Sequence, residues 1–331
     1  MNRGEFDLAL RLGQDLLRLS RRRIDSAGLV LGHYSCGHNL MFLGKFAASR
    51  AHLEEVLALC DSTSHRSLVR QAGDDPRVNS QAFLGIVLFC FGFPDQALAY
   101  SGAAIAEARR QAHPPTFAMS LAFAARLHSL EGDNAALGER VGQLIAVVTE
   151  QGFPFWRALG TIHHGWLKVK NGDVAEGMSL LRSGSAAHRA TGAAILTPYH
   201  VALLASACEA AGQTEETSVL LDDALQIVER TGERWFAAEL NRQKGELLLR
   251  QGHCEQAEEL YRKALSIARE QEAKMWELRA AVSLALLRRD QCRRAEARDL
   301  LAPVYGWFTE GFATPDLKDA KALLDELDQQ D

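Results

Sequence analysis

The sequence predicts an all-α fold, a right-handed superhelical solenoid of helical hairpins that repeats about every 40 residues. Three observations carry this. Seven glycines (Gly132, Gly152, Gly172, Gly192, Gly212, Gly232 and Gly252) stand 20 residues apart. At about 1.5 Å of rise per residue, each interval holds one helix of roughly four turns and a turn. Glycine is the usual residue just past a helix end because it enters the left-handed region without a Cβ clash. Second, small residues recur at matching places in alternate helices. Third, the C-terminal segment puts Leu317, Ala320, Leu323, Leu324 and Leu327 on one stripe, with Lys318, Asp319, Lys321, Asp325 and Glu326 facing away. Such a polar-backed helix closes a stack.

Taken in order, residues 1–23 form an incomplete N-terminal repeat. Gly4-Glu5-Phe6-Asp7-Leu8-Ala9 opens a helix of the second type, and Phe6, Ala9, Leu12, Leu16 and Leu19 give it an apolar edge. Repeats bury their core only against neighbours, so this edge calls for an upstream domain, a second copy or a partner. Residues 29–60 are the first full repeat, with Gly44-Lys45-Phe46 at its mid-turn and Ser49, Leu53 and Val56 behind it. The polar insert 61–78, with a turn at Asp74-Asp75-Pro76, reads as a spacer, with a contact loop as the alternative. Residues 79–304 hold the remaining repeats, with mid-turn glycines at Gly92, Gly132, Gly172, Gly212 and Gly252. In the last hairpin Arg289-Asp290-Gln291 replaces that glycine. Residues 305–331 carry the capping helix.

The packing logic within a hairpin is close approach. Gly37, Gly85, Ala125, Gly165, Ala205 and Gly245 fall eight positions into the first helix of each pair. Ser49, Ala97 and Ala257 come five positions after the mid-turn glycine, followed by a larger residue such as Leu53 or Tyr261. Small against small lets two helices touch, and the larger residue fills the groove beyond. This is the tetratricopeptide repeat (TPR) pattern, lengthened from about 34 residues; HEAT-type repeats of similar length are the structural alternative.

Composition narrows the function classes. Apolar residues are 47% of the chain, enough for a buried core, and the net charge of −5 disfavours nucleic acid as a main partner. The basic run Arg21-Arg22-Arg23 ends the first predicted helix, where cations complement the dipole. No apolar stretch reaches the ~20 residues of a membrane span. Six cysteines without paired spacing suit reduced thiols, and a cytoplasmic location is expected.

No P-loop, Gly-x-Ser-x-Gly elbow or His-Glu-x2-His helix is present, so no catalytic residue, cofactor or nucleotide site is assigned. His33, Cys36 and His38 are close in sequence, but a metal needs further ligands that no second cluster supplies. No metal site is assigned either. What a hairpin array offers is a concave face lined by the first helix of each pair. The register points Tyr34, His38, Asn79, Arg126, His163, Trp166, Tyr199, Glu209, Glu239, Arg242, Gln243 and Glu246 inward. This mixed lining suits a peptide or protein partner, with Trp166 and Tyr199 as exposed aromatic anchors.

Several motifs also resemble a known group. They include His65-Arg66-Ser67-Leu68 with Asp75-Pro76, Gly92-Phe93-Pro94-Asp95-Gln96-Ala97-Leu98, and Thr149-Glu150-Gln151-Gly152-Phe153-Pro154 with Trp156. Further on stand Arg189-Ala190-Thr191-Gly192-Ala193, Thr231-Gly232-Glu233-Arg234, Lys244-Gly245-Glu246-Leu247-Leu248, Trp276-Glu277-Leu278-Arg279 and Tyr305-Gly306-Trp307-Phe308. Together they resemble the C-terminal TPR region of bacterial STAND-type signalling ATPases and adenylate/guanylate cyclase-like proteins. The resemblance spans essentially the whole chain, with departures at Ala194, Thr197 and Cys254. It implies a cyclase or DNA-binding domain and a P-loop ATPase module upstream, one of which could pack on the N-terminal helix. Catalytic residues of that group belong to those domains, and none transfers here. The expected role is therefore a non-catalytic protein-interaction or sensor segment. The alternatives are a small-molecule-sensing superhelix of a transcription regulator and, last, an enzyme.

Overall fold

The computed structural model describes residues 4–60, 69 and 73–329. Among them are sixteen α-helices and no strand. They are α1 (Phe6–Arg23), α2 (Ser26–Phe42), α3 (Phe46–Leu59), α4 (Pro76–Phe91), α5 (Pro94–Gln111), α6 (Pro114–Glu131), α7 (Asn134–Gln151) and α8 (Pro154–Lys170). There follow α9 (Val174–Ala190), α10 (Thr197–Ala210), α11 (Thr214–Thr231), α12 (Ala237–Arg250), α13 (Cys254–Glu270), α14 (Lys274–Asp290), α15 (Arg294–Tyr305) and α16 (Pro315–Asp328). Most of the insert 61–78 lies outside the described residues. No helix among those described is long and apolar enough to cross a membrane.

Helices α2 to α15 pair as successive antiparallel hairpins, and the small residues sit at the seams. A Cβ built on Gly245 would lie 2.6 Å from the Tyr261 ring, and one on Gly165 would lie 2.8 Å from the Gly177 carbonyl oxygen. At Gly37 the seam gains a bond, because the Ser49 hydroxyl donates to the Gly37 carbonyl at 2.6 Å. Helix starts are fixed by Asp25, Asp75 and Asp133, whose carboxylates accept from first-turn amides. Prolines at the starts of α4, α5, α6, α8, α10 and α16 occupy places where a missing N–H loses nothing.

The glycine comb is a comb of left-handed residues, and it runs further than the glycines do. All seven glycines have φ between 71° and 94°. Continuing in steps of 20 reaches Gly92 (φ 94°) and Ala112 (φ 51°) on one side, and Glu272 (φ 55°) and Cys292 (φ 60°) on the other. The last three carry a Cβ, so the repeat frame imposes the left-handed turn even where the side chain opposes it. At the C-terminus α16 buries Leu317, Ala320, Leu323, Leu324 and Leu327.

The superhelix winds tightly enough to close on itself. The Arg234 and Trp235 amides, before α12, both donate to the Phe42 carbonyl at the end of α2, at 2.8 and 3.1 Å. Phe89 on α4 meets Trp276 on α14, ring centroids 5.9 Å apart. Past α15, Glu310 accepts from the amide and side chain of Gln96 at 3.0 and 2.9 Å, and the Gly311 amide donates to Asp95 at 3.1 Å. The first and last repeats thus stack as neighbouring turns. One continuous hydrophobic core runs through them.

Candidate functional site

The inner face of the superhelix is built by the first helix of each hairpin. One register position, repeated every 40 residues, gives Asn79, Met119, Leu159, Tyr199, Glu239 and Arg279. The first five are buried. A wide open groove does not survive this. Two different environments take its place.

In the N-terminal and central part, aromatic rings fill the axis. Tyr34, His38, Phe42, Phe83 and Phe123 form a chain with centroid separations of 4.5 to 6.4 Å. The Tyr34 hydroxyl accepts from the Asn79 amide at 3.0 Å. At the end of the chain lies Arg126, 0% exposed, its guanidinium 4.6 Å from the centre of the Phe123 ring. None of its three nitrogens has a hydrogen-bond partner, and it forms no ion pair among the described residues. Burial lowers its pKa to about 10, against the pull of Tyr199 and Glu233, so it stays cationic at neutral pH.

Buried histidines surround this cation. His163 donates from Nδ1 to the Leu159 carbonyl (2.9 Å), while the Nε2 atoms of His163, His188 and His200 have no partner among the described residues. Burial lowers His163 and His188 to about 4, with Arg126 adding repulsion in both. His38 is lowered to about 3, again mainly by burial. Glu233, also buried, accepts from the Leu196 amide (3.0 Å to each oxygen) and from the Trp235 indole at 3.1 Å. Burial pushes its carboxyl up to about 8 despite those bonds. The bonds hold Leu196 at φ 66°, a conformation a branched side chain rarely takes. Leu196, Arg126, Tyr34 and Asp74 border a cavity of about 130 Å³ walled mostly by aromatic rings.

The C-terminal part is charged, paired and more open. Arg242 bonds Glu239 at 2.8 Å and also pairs with Glu246. Arg279 makes a two-point bond to Asp316, 2.8 Å at each oxygen, reaches Glu239 at 3.3 Å, and donates to the Leu130 carbonyl at 2.5 Å. Burial alone would raise the Glu239 carboxyl; the two guanidinia outweigh it and hold it below the usual range. Beside this network is a cleft of about 290 Å³ bordered by Arg242, Glu246, Ser283, Asp316 and Asp319.

The twelve inward residues of the sequence reading divide accordingly. Tyr34, His38, Asn79, Arg126, His163, Tyr199 and Glu239 are buried; Trp166, Glu209, Arg242, Gln243 and Glu246 are half-buried. Tyr199, expected as an exposed anchor, is 1% exposed and bonds the Ser129 hydroxyl at 2.9 Å, because the His163, Trp235 and Phe236 rings of neighbouring repeats pack round it. Trp166 keeps some exposure under the Lys170 ammonium, 5.2 Å from its ring. Glu209 pairs with Arg250. The structure brings Tyr34, His38 and Arg126 to one cavity and Arg242 and Glu246 to the cleft; Gln243 borders neither. Sequence reasoning missed Arg279, Asp74, Glu233, His188 and His200. Arg279 was reachable, standing 40 residues after Glu239; His200 lies beside Tyr199 on a first helix at a position the register did not select, and Asp74, Glu233 and His188 come from turns and a second helix that it did not cover.

Comparison with known proteins now has a frame. Residues 195–270 match the tetratricopeptide repeat family. These TPR residues span α10 to α13. No curated protein matches the sequence. Among solved structures, a Rap protein complexed with Competence and Sporulation Factor is 12% identical over 98% of this chain and 97% of that one, with a TM-score of 0.58. NprR in complex with its cognate peptide NprX is 14% identical over 90% of this chain and 82% of that one, at 0.55. The APC/C hetero-tetramer Cut9–Hcn1 gives 14% identity and 0.57, covering 99% of this chain but 54% of that one. At such identities the likeness is one of fold: a TPR-like helical-repeat superhelix over nearly the full length.

Proposed function

We propose that the chain is a non-catalytic regulatory array of a bacterial signalling ATPase or nucleotide cyclase, working in the cytoplasm. A peptide or protein partner engages the inner face at the C-terminal cleft, and the altered closure of the superhelix biases an effector module. The observation that carries this is the position of Arg279. Its one side chain ties together Leu130, Glu239 and Asp316, which belong to three different repeats on two turns. A partner on neighbouring Arg242, Glu246 and Ser283 therefore acts on the contact that keeps the turns together. A ligand shifts a conformational balance only through such differential contacts. The fold likeness to superhelices solved with peptides supports the kind of partner. The motif resemblance supports the ATPase or cyclase setting.

Leu8, Leu12 and Leu19 on the outer side of α1 are 46%, 60% and 48% exposed. They offer an apolar edge for the effector module or a second copy. The test combines the purified chain with the ATPase or cyclase module encoded with it. Turnover should change several-fold on addition of the chain, and the chain alone should show none. ATP hydrolysis or cyclic nucleotide formation by the chain alone overturns the reading. Asp319→Asn, on the cleft, should keep its helicity by circular dichroism and weaken partner binding about tenfold by calorimetry; unchanged affinity removes the cleft from the partner surface.

A further inference from the structure

Arg126 presents five N–H donors to an interior that offers none of them an acceptor. Taking a cation out of water is costly, and the Phe123 face returns only part of that cost. A guanidinium left this way is matched best by a carboxylate, which takes two parallel N–H bonds in one plane. The adjoining cavity says what the carboxylate should be attached to. Phe42, Phe83, Phe123, Phe155 and Trp156 wall it, so the body of the occupant is apolar and flat. Its 130 Å³ approaches the ~150 Å³ in which benzene is held in an engineered cavity, so one ring fits and little more. Tyr34 adds a second donor: its oxygen accepts from Asn79, which leaves its own proton for the occupant. Asp74 on the wall repels additional negative charge and so favours a monoanion over phosphate.

We propose that this cavity is a binding site for a small aromatic monocarboxylate, held by Arg126 and Tyr34 with its ring among the phenylalanines. The assignment deepens the binding role given above and rests on it for the consequence of occupancy. Leu196, the strained residue on the wall, would carry that consequence to Glu233 and so to the contact between turns.

The experiment follows thermal unfolding of the whole chain in millimolar benzoate, benzamide or inorganic phosphate. Benzoate should raise the midpoint in proportion to the logarithm of its concentration, while benzamide and phosphate leave it unmoved. Arg126→Met should unfold cooperatively and lose the benzoate response. A flat benzoate series, an equal shift with benzamide or phosphate, or a response that persists in Arg126→Met overturns the proposal. Should Arg126→Met not fold, tryptophan emission decides: benzoate should give a saturable change in the native chain that Trp156→Phe removes, and no change overturns it. Only this chain is needed, so a flat series leaves regulation of an effector module standing, and failed regulation leaves a measured shift standing.

Discussion

Arg126 and Arg279 sit on the inner face of the same superhelix, each over an aromatic ring, Phe123 at 4.6 Å and Trp276 at 5.1 Å. Their surroundings are opposite. Arg279 has Asp316, Glu239 and the Leu130 carbonyl, so its burial is compensated and it fastens two turns together. Arg126 has the ring alone. A buried cation with its partners in place is a structural element; one without them keeps its donors available to an anion. The C-terminal part of the inner face therefore reads as architecture with an open cleft beside it, and the central part as the place where an anion would be matched.

The comparison can be broken most directly by removing partners. Glu239→Ala strips a buried carboxylate from two half-buried guanidinia, which keep Glu246 and Asp316, and should destabilise the fold by about 3 kcal/mol in urea denaturation. Arg126→Met removes a charge that has no partner and should be neutral or stabilising by about 1 to 4 kcal/mol. Equal losses from the two variants would erase the distinction.

Acid should act on the central part first. His38, His163, His188 and His200 are held neutral, all below the 6.5 of an unfolded chain, chiefly by burial. Between pH 6.5 and about 4 the unfolded chain takes up protons that the folded histidines refuse, so stability falls as pH falls through that window. Each histidine contributes a slope of up to about 1.4 kcal/mol per pH unit. His188→Phe should reduce the slope of unfolding free energy against pH by about one such step, and an unchanged slope would exclude His188 from the effect. The smallest effect belongs to the turns: Glu272→Gly and Cys292→Gly relieve left-handed strain and should each stabilise by up to about 1 kcal/mol in thermal melts.

Much of the fold was legible because the repeat writes itself in local chemistry. The glycine comb, the small residues at Gly165 and Gly245, and the stripe on α16 each need only nearest neighbours to be understood. The inner-face register was legible for the same reason; of its residues, Arg126 borders the aromatic cavity, and Arg242 and Glu246 border the cleft. Which of them would be paired was not legible. Arg279 meets Leu130 from 149 positions away, and Tyr199 loses its exposure to rings of neighbouring repeats. Periodicity within one hairpin carries no information on such distances.

By itself, then, the sequence determined the helices, their hairpin pairing and the direction each first helix faces, since these follow from turn chemistry and short-range packing. Tertiary structure decided how tightly the array winds, and with it that the concave face becomes an interior. It also forced Ala112, Glu272 and Cys292 into the left-handed turns that glycine takes elsewhere. The reason is the same in both cases: winding is the sum of small rotations over every repeat, and only the closed stack fixes that sum.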